Sequence, residues 1–303
     1  MSDQPSYPDR QQFVKTIHHL LMHSVHEILG TLESSGFVKR CFEIIFFLPV
    51  RYFANFFVNF DEITQKDGFS AAGRWLCNRF VNDIHVRGAE NIPATGPIMI
   101  VSNHPGAYDS FCILATLGRE DMSAIISDIP FCMALPHVGP RLIYTNANVD
   151  VRMVAIRDAI KRLQNGGAFL IFPTGLIDPD PSFMDHVLEE LQNWSNSVEL
   201  FLRRAPDTQL VITTVSHILQ PKWVSHPLIK TQHSTHAKRR MAEFIQVLNQ
   251  FFIPWSIKST PCITYGVPVS YTTLQKMEGT IQESIIRLAG AQMKDHMAEF
   301  NNR

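Results

Sequence analysis

Residues 98–110 read I-M-I-V-S-N-H-P-G-A-Y-D-S and join a short apolar run to a polar turn. The apolar run predicts a buried strand. Pro105 and Gly106 suit the start of a helix, because proline is favoured at the first helical position. The stretch therefore predicts a strand-to-helix junction that carries His104 and Asp109, and open α/β sheets usually place their chemistry at such a junction.

The spacing of His104 and Asp109 admits two interpretations. Residues five apart on one continuous helix do not share a face, but a histidine that precedes the helix can meet Asp109 in its first turns. The helix dipole would then favour the neutral imidazole that a general base needs, and Asp109 would fix its tautomer. Alternatively, His104 is a structural histidine beside a helix cap, since many His–Asp pairs are structural.

Outward from this junction, short strands alternate with helices from residue 81 onward. The alternation predicts an α/β fold with a mostly parallel central sheet covered by helices. We expect strands at residues 97–102, 124–127, 142–145, 168–172, 210–215 and 263–269. Helices are expected at residues 105–117, 151–164, 197–204, 237–252 and 280–300. Residues 81–303 are thus assigned to one α/β domain, and residues 1–80 to an N-terminal helical extension.

Within the extension, residues 11–32 have the apolar spacing of an amphipathic helix, with His19, His23 and His26 on its polar side. Without a carboxylate partner, we interpret those histidines as a solvated face rather than a metal site.

Residues 37–60 are dense in phenylalanine but are interrupted by Glu43, Pro49 and Arg51, which disfavours a membrane-spanning helix. Two interpretations stay open. The stretch lies in a membrane interface, with Lys39, Arg40 and Arg51 toward the head groups, or it forms a helical pair packed on the main domain.

Composition narrows the function classes. The net charge of −1 argues against nucleic acid as a partner. The five cysteines are scattered and include no CxxC pair, which argues against a structural zinc site and fits a reducing compartment. We find no secretory signal and no apolar run long enough to span a membrane.

A second block, Phe172-Pro173-Thr174-Gly175, ends a predicted strand and opens a loop. Its backbone amides would face a ligand, or the block is a plain turn. The nearby Asp178 and Asp180 are interpreted as turn residues. Residues 230–240 form a basic cluster that suits an anionic lipid or a carrier's phosphopantetheine, or is a solvated helix start.

Taken together, the ordered blocks resemble the glycerolipid acyltransferase family, which includes lysophosphatidate and glycerol-3-phosphate acyltransferases. The first block corresponds to the family's His-x-x-x-x-Asp motif, and Phe172 to Gly175 to its Phe-Pro-Glu-Gly motif. The resemblance also includes the lead-in at residues 86–97, the strand at 211–217 and the Gly-x-Pro element at 266–269. It covers roughly residues 81–274 and implies a glycerolphosphate acyltransferase-like fold.

The resemblance implies transfer of a fatty acyl group from acyl-CoA or acyl carrier protein to a lipid hydroxyl, as in phospholipid biosynthesis. His104 would be the general base and Asp109 its orienting acid. The implied substrate-binding residues are Asn103, Gly106, Arg141, Pro173, Thr174 and Gly175. No metal and no cofactor beyond the thioester co-substrate are implied. The expected location is cytoplasmic and peripheral, at the inner face of the membrane.

Two departures from the family pattern bear on the acceptor. Thr174 replaces the motif's glutamate. In the block at residues 141–147, the family usually has an apolar strand that leads to an arginine, and here no arginine follows the strand. In the family, the missing arginine helps to hold the phosphate of the acceptor. Either a different arginine holds that phosphate here, with Arg141, Arg152, Arg203 and Arg204 as candidates, or the acceptor has no phosphate. A catalytically silent lipid-binding or membrane-scaffolding protein is the alternative function, and a thioester hydrolase is a third.

Overall fold

We describe a computed structural model that covers residues 9–30, 36–253 and 255–301, with side chains described at residues 9–23 and from residue 47 onward in these ranges. The strands are β1 (His85–Arg87), β2 (Ile98–Ser102), β3 (Met122–Ser127), β4 (Leu142–Thr145), β5 (Ala168–Ile171), β6 (Gln209–Ser216), β7 (Cys262–Tyr265) and β8 (Val269–Ser270). The longer helices are α1 (Arg10–Gly30), α2 (Gly36–Asp67), α3 (Phe69–Phe80), α4 (Asp109–Thr116), α6 (Val149–Gln164), α8 (Ser197–Arg204), α10 (Thr235–Phe252) and α12 (Ile281–Phe300). The short helices are α5 (Pro130–Met133), α7 (Val187–Glu190), α9 (Pro221–Val224) and α11 (Tyr271–Gln275).

These strands form one sheet in the order β1-β7-β6-β2-β5-β3-β4, with β8 also on β6. The five strands from β6 to β4 are parallel, whereas β7 and β8 run antiparallel to β6. The predicted α/β fold, with a mostly parallel sheet, covering helices and an N-terminal helical region, is confirmed. The expected strand at 263–269 is in fact two strands, because Gly266 bonds across to Ile212 and Pro268 has no N–H to offer a ladder.

The two faces of β2 show how the sheet divides the core. Ile98 and Ile100 pack on one side with the N-terminal helices, and Met99 and Val101 pack on the other with α6, α8 and α12. All four side chains are fully buried, as expected for a central strand of a parallel sheet covered on both faces. β2 therefore ends in the interior of the molecule, and helices cover both faces of the sheet where the following residues leave it.

The N-terminal helices share the first of these cores. Ala54, Val58 and Phe60 of α2 are buried together with residues of β2 and β6. Residues 37–60 lie in a single helix with Pro49 inside it, rather than in a helical pair. The boundary between residues 1–80 and 81–303 stays a prediction.

The other face of α2 is exposed, notably at Leu48 and Tyr52. The side chains of His26, Lys39 and Arg40 lie outside the described ones. In the described ranges, no helix is long and apolar enough to cross a membrane.

Candidate active site

The carboxyl end of β2 leads directly into the candidate site. Asn103 is 2% exposed and bridges β2 to β6: its side-chain amide donates to the Val215 carbonyl, and its Oδ1 accepts the Val215 N–H, both at 2.8 Å. Asn103 thus fixes the point at which the chain leaves the sheet. The structure assigns it a bridging contact rather than an open binding surface.

His104 and Asp109 meet as the first interpretation of their spacing requires. His104 Nδ1 lies 2.8 Å from Asp109 Oδ2, and Asp109 is fully buried. The same carboxylate accepts the backbone N–H groups of Gly106 (3.2 Å) and Ser110 (2.5 Å). These bonds hold Asp109 in one orientation, so that the imidazole Nε2 points away from the acid.

The helix begins at Asp109 and not at Pro105 as expected, and residues 105–108 form a turn. Tyr108 accounts for this difference, because its buried hydroxyl donates to the Ile218 carbonyl and lies 2.7 Å from Ser259 Oγ. The turn is pulled toward the segment that follows β6, which leaves His104 outside the helix and free to face Asp109.

Charge and burial oppose each other at His104. Burial alone would lower the pKa of the imidazole, but the Asp109 carboxylate, aided by Glu243 and Asp178, raises it above its ordinary value. His104 is therefore a stronger base than a free histidine, and Asp109 is placed to stabilise the imidazolium that forms when it accepts a proton.

Asp178 is a residue of the site that the sequence interpretation assigned to a turn. Its Oδ2 accepts the backbone N–H of His104 at 2.9 Å, and its own N–H donates to the His104 carbonyl at 2.8 Å. Burial raises the pKa of Asp178 to about 6. The loop after β5 is thereby fastened to the backbone of the candidate base.

Glu243 reaches the same region from α10 and carried no signal in the sequence motifs. A Cβ placed on Gly106 would lie 3.8 Å from Glu243 Cγ, and the Ala107 backbone amide stabilises the Glu243 carboxylate. Burial raises the pKa of Glu243 to about 7, although His104 acts in the opposite direction. A motif search along the chain cannot find this residue, because it lies 139 positions beyond His104 on another element.

Asp180 has a structural role beside the site. Its carboxylate oxygens accept the backbone N–H groups of His217, Ile218 and Leu219 at 2.8 to 3.0 Å. His217 has a left-handed backbone with φ of 60°, a conformation that is uncommon outside glycine. Asp180 therefore holds the sharp turn after β6, against which Tyr108 and Gly106 are packed.

A largely apolar cavity of ≈ 410 Å³ opens at His104. His104, Phe172 and Gly175 stand at one part of its wall. Residues of α2, α3, α4, α5, β3 and β4 line much of the remainder, including Phe57, Phe60, Phe69, Ala124 and Phe131. The phenylalanines of residues 37–60 that pack inward thus serve in part as the wall of a cavity. Its shape and lining suit an apolar chain with a polar group at the imidazole.

Gly106 and Gly175 lie beside the dyad, and each has a steric reason to be glycine. A Cβ on Gly106 would stand 2.6 Å from Ile218 Cγ2, and Gly175 has φ of +63°. The Gly106 amide is taken by Asp109, and the Gly175 amide donates to the Phe172 carbonyl. Neither amide is therefore free to stabilise an oxyanion in this arrangement.

Pro173 and Thr174 follow β5 in the same loop. Pro173 is buried and its carbonyl accepts the Ser195 N–H, while the Thr174 hydroxyl donates to the Leu176 carbonyl. Both residues shape the loop that carries Gly175 to the cavity.

Arg141 is not brought to the dyad. Strand register places Leu142 level with Ile100, which puts Arg141 roughly 15 Å back along the strand direction from His104. Its guanidinium donates to the Glu120 carbonyl and covers the Phe69 ring. Arg203 and Arg204 precede β6 and lie toward the amino-terminal ends of β2 and β6, whereas His104 follows the carboxyl end of β2. Arg152 follows β4, three strands from β2.

Among the described side chains, no three His, Cys, Asp or Glu residues are grouped to hold a metal ion. At the imidazole Nε2 of His104, the site offers proton transfer.

Residues 83–216 match the family model described as Acyltransferase. No curated protein matches the chain. Among solved structures, the chain is similar to the 1-acyl-sn-glycerophosphate (LPA) acyltransferase PlsC from Thermotoga maritima. The two are 14% identical, with a TM-score of 0.46 over 97% of this chain and 98% of that one.

Proposed function

We propose that this chain, whose residues 83–216 match the family model described as Acyltransferase, moves a fatty acyl group from an acyl thioester to a hydroxyl group of a lipid acceptor. The observation that carries the proposal is the position of His104, held by a buried aspartate at the opening of an apolar cavity. A thioester carbonyl at the imidazole with its acyl chain in the cavity would satisfy both features.

The proposed reaction uses His104 as general base. The acceptor hydroxyl gives its proton to Nε2 while its oxygen attacks the thioester carbonyl carbon. Asp109 stabilises the imidazolium at Nδ1, which it faces at 2.8 Å. The tetrahedral intermediate then collapses, the carbon–sulfur bond breaks, and the imidazolium returns its proton to the departing sulfur. The products are an ester and a free thiol, and no covalent enzyme intermediate or cofactor is required.

The donor is proposed to be acyl-CoA or acyl carrier protein, and the acceptor a glycerolipid-type or other lipid alcohol. Exposed Lys238 and Arg240 of the basic cluster lie on α10, the helix that also carries Glu243. They are placed to attract the phosphates of a phosphopantetheine-linked donor.

We also propose that the protein works at a membrane surface, on the cytoplasmic side. An aromatic surface, defined by Phe47, Leu48, Tyr52, Phe252 and Trp255, supports this. Its members are 39% to 85% exposed, and the rings of Tyr52 and Phe252 are 6.2 Å apart, so that α2 and the end of α10 contribute to one patch. Exposed clustered aromatics of this kind suit the lipid interface.

The deciding experiment measures acyl transfer from labelled acyl-CoA and labelled acyl carrier protein to a panel of lipid alcohols. Transfer that is lost in His104→Ala supports the proposal. Release of free fatty acid without any acceptor would identify a thioester hydrolase instead. Binding of lipid with no turnover of either donor would favour the catalytically silent lipid-binding protein.

A further inference from the structure

We infer that the acceptor of this reaction carries no phosphate beside its reacting hydroxyl, and that it is a lipid alcohol with an uncharged or cationic head group. This inference rests on the proposed function and concerns the same site.

The reacting hydroxyl fixes where the rest of the acceptor lies. To lose its proton to His104, it must come within hydrogen-bond distance of Nε2. In a glycerol phosphate with a free neighbouring hydroxyl, the phosphate sits on the adjacent carbon. A phosphate-bearing acceptor would therefore place a group of roughly −1.5 to −2 charge in the immediate surroundings of His104.

Those surroundings are acidic. Asp109, Glu243 and Asp178 act on the His104 imidazole, and all three are carboxylates. They come from three separate parts of the chain, namely α4, α10 and the loop after β5. Juxtaposed like charges in a partly buried site oppose binding, so this arrangement selects against an anionic head group.

The backbone donors that would otherwise hold a phosphate are engaged. The start of a helix is a ready-made anion site. At the start of α4, however, the Gly106 and Ser110 amides donate to Asp109, and the Ala107 amide faces Glu243. The His104 amide donates to Asp178. The protein's own carboxylates thus engage these four backbone amides, which are then not available to a phosphate.

Arg239 contacts the loop after β5, and its charge is paired with a carboxylate. Arg239 is 7% exposed, forms an ion pair with Glu190 at 2.8 Å, and reaches the Ile177 carbonyl. Arg240 is exposed, lies one turn before Glu243 on α10, and stabilises the Glu243 charge. Removal of Arg240 therefore tests whether an exposed cation near Glu243 supports the binding of an anionic acceptor.

The test compares three acceptors that share one acyl chain and differ in head group. They are a monoacylglycerol, the corresponding lysophosphatidate, and a phosphate-free lipid alcohol with an amine head group. We expect kcat/KM for the two non-anionic acceptors to exceed that for lysophosphatidate by about tenfold or more. Preference for lysophosphatidate would overturn the inference and leave the acyltransferase proposal intact. Transfer to none of the acceptors would overturn the proposed function, and the inference with it.

Two variants locate the cause in the site. Glu243→Gln keeps the side-chain shape and removes the charge, so the ratio of lysophosphatidate to monoacylglycerol turnover should rise several-fold. Arg240→Gln should leave that ratio unchanged or lower it slightly. An unchanged ratio in Glu243→Gln, or loss of a strong lysophosphatidate activity in Arg240→Gln, would contradict the assignment. Asp207→Gln, at an exposed position remote from α10, is the matched surface control.

Discussion

The ring of Phe172 stacks on the imidazole of His104, with centroids 4.2 Å apart and planes 17° from parallel. One face of the imidazole is covered by this contact, and Nδ1 is taken by Asp109. Nε2 is the ring nitrogen that remains to exchange a proton with a substrate. The two contacts together give the base one orientation, and the predictions that concern catalysis follow from it.

Asp109→Asn should lower kcat by roughly 10²- to 10⁴-fold, because the imidazolium loses its buried counter-charge and the tautomer is no longer fixed. Acyl transfer under saturating donor measures the effect. Asp207→Asn, at an exposed position, serves as the control. Retention of more than a tenth of the wild-type rate would show that Asp109 is only a structural partner.

Activity should depend on pH through the neutral form of His104. Because the pKa of His104 is raised above 6.5, kcat/KM should be high above that pKa and fall as the pH is lowered through it. Asp178→Asn removes one of the carboxylates that raise this pKa but keeps an oxygen to accept the His104 amide. The midpoint of the acidic limb should therefore move to lower pH in the variant, and an upward movement would contradict the electrostatic account.

Ala124→Leu should change the preferred length of the acyl chain. Ala124 lies on β3 in the wall of the cavity, so a larger side chain there removes space for the chain. We expect at least about a tenfold loss of kcat/KM with long-chain donors and a smaller loss with short ones. The matched control is Ala291→Leu, an exposed position on α12. Equal losses at all chain lengths would argue against the cavity as the acyl site.

Asp180→Asn should destabilise the folded protein by roughly 3 kcal/mol, because one carboxylate oxygen that accepts backbone N–H groups becomes a donor in a buried position. The free energy of unfolding from urea denaturation gives the value. Asp207→Asn is again the comparison, with an expected change within about 0.5 kcal/mol. A similarly small change at Asp180 would mean that the turn after β6 does not depend on this carboxylate.

Removal of apolar groups from the aromatic surface should weaken membrane binding. Leu48→Ser combined with Trp255→Ser exposes no core, since the two side chains are 71% and 85% exposed. We expect flotation with vesicles that contain anionic lipid to fall several-fold, while acyl transfer between soluble substrates and thermal stability stay near wild type. Val154→Ser, on exposed α6, is the control, and undiminished flotation of the double variant would remove this surface from the membrane contact.

Much of the fold could be predicted because its signals are local. The apolar run of β2 and the alternation that follows residue 81 place most strands and helices within a few residues. The reversal of β7 could not be predicted, since strand direction depends on the path of the loop between α10 and β7. β1 could not be predicted either, because a strand of three residues is too short to show the alternation of apolar and polar side chains.

The candidate site divides in the same way. His104 and Asp109 are close in the chain, and a turn can bring them together. Asp178 and Glu243 join the site through tertiary contacts, over 74 and 139 positions of sequence, where no spacing rule applies. Arg141 shows the converse. The resemblance of the block at residues 141–147 to a family block placed Arg141 among the binding residues, while strand register sets it far from the base.

The packing of Phe251 between α2 and the rest of the protein has a consequence for biosynthesis. Its ring lies 4.9 Å from Phe53 and 5.0 Å from Phe56, yet it leaves the ribosome about 200 residues after them. At ordinary translation rates, Phe251 is synthesised roughly 10 to 40 s after the aromatic side of α2. A nascent chain stalled before residue 235 should therefore be protease-sensitive in α2 and bound by chaperones or lipid, whereas one stalled after α10 has emerged should be protected.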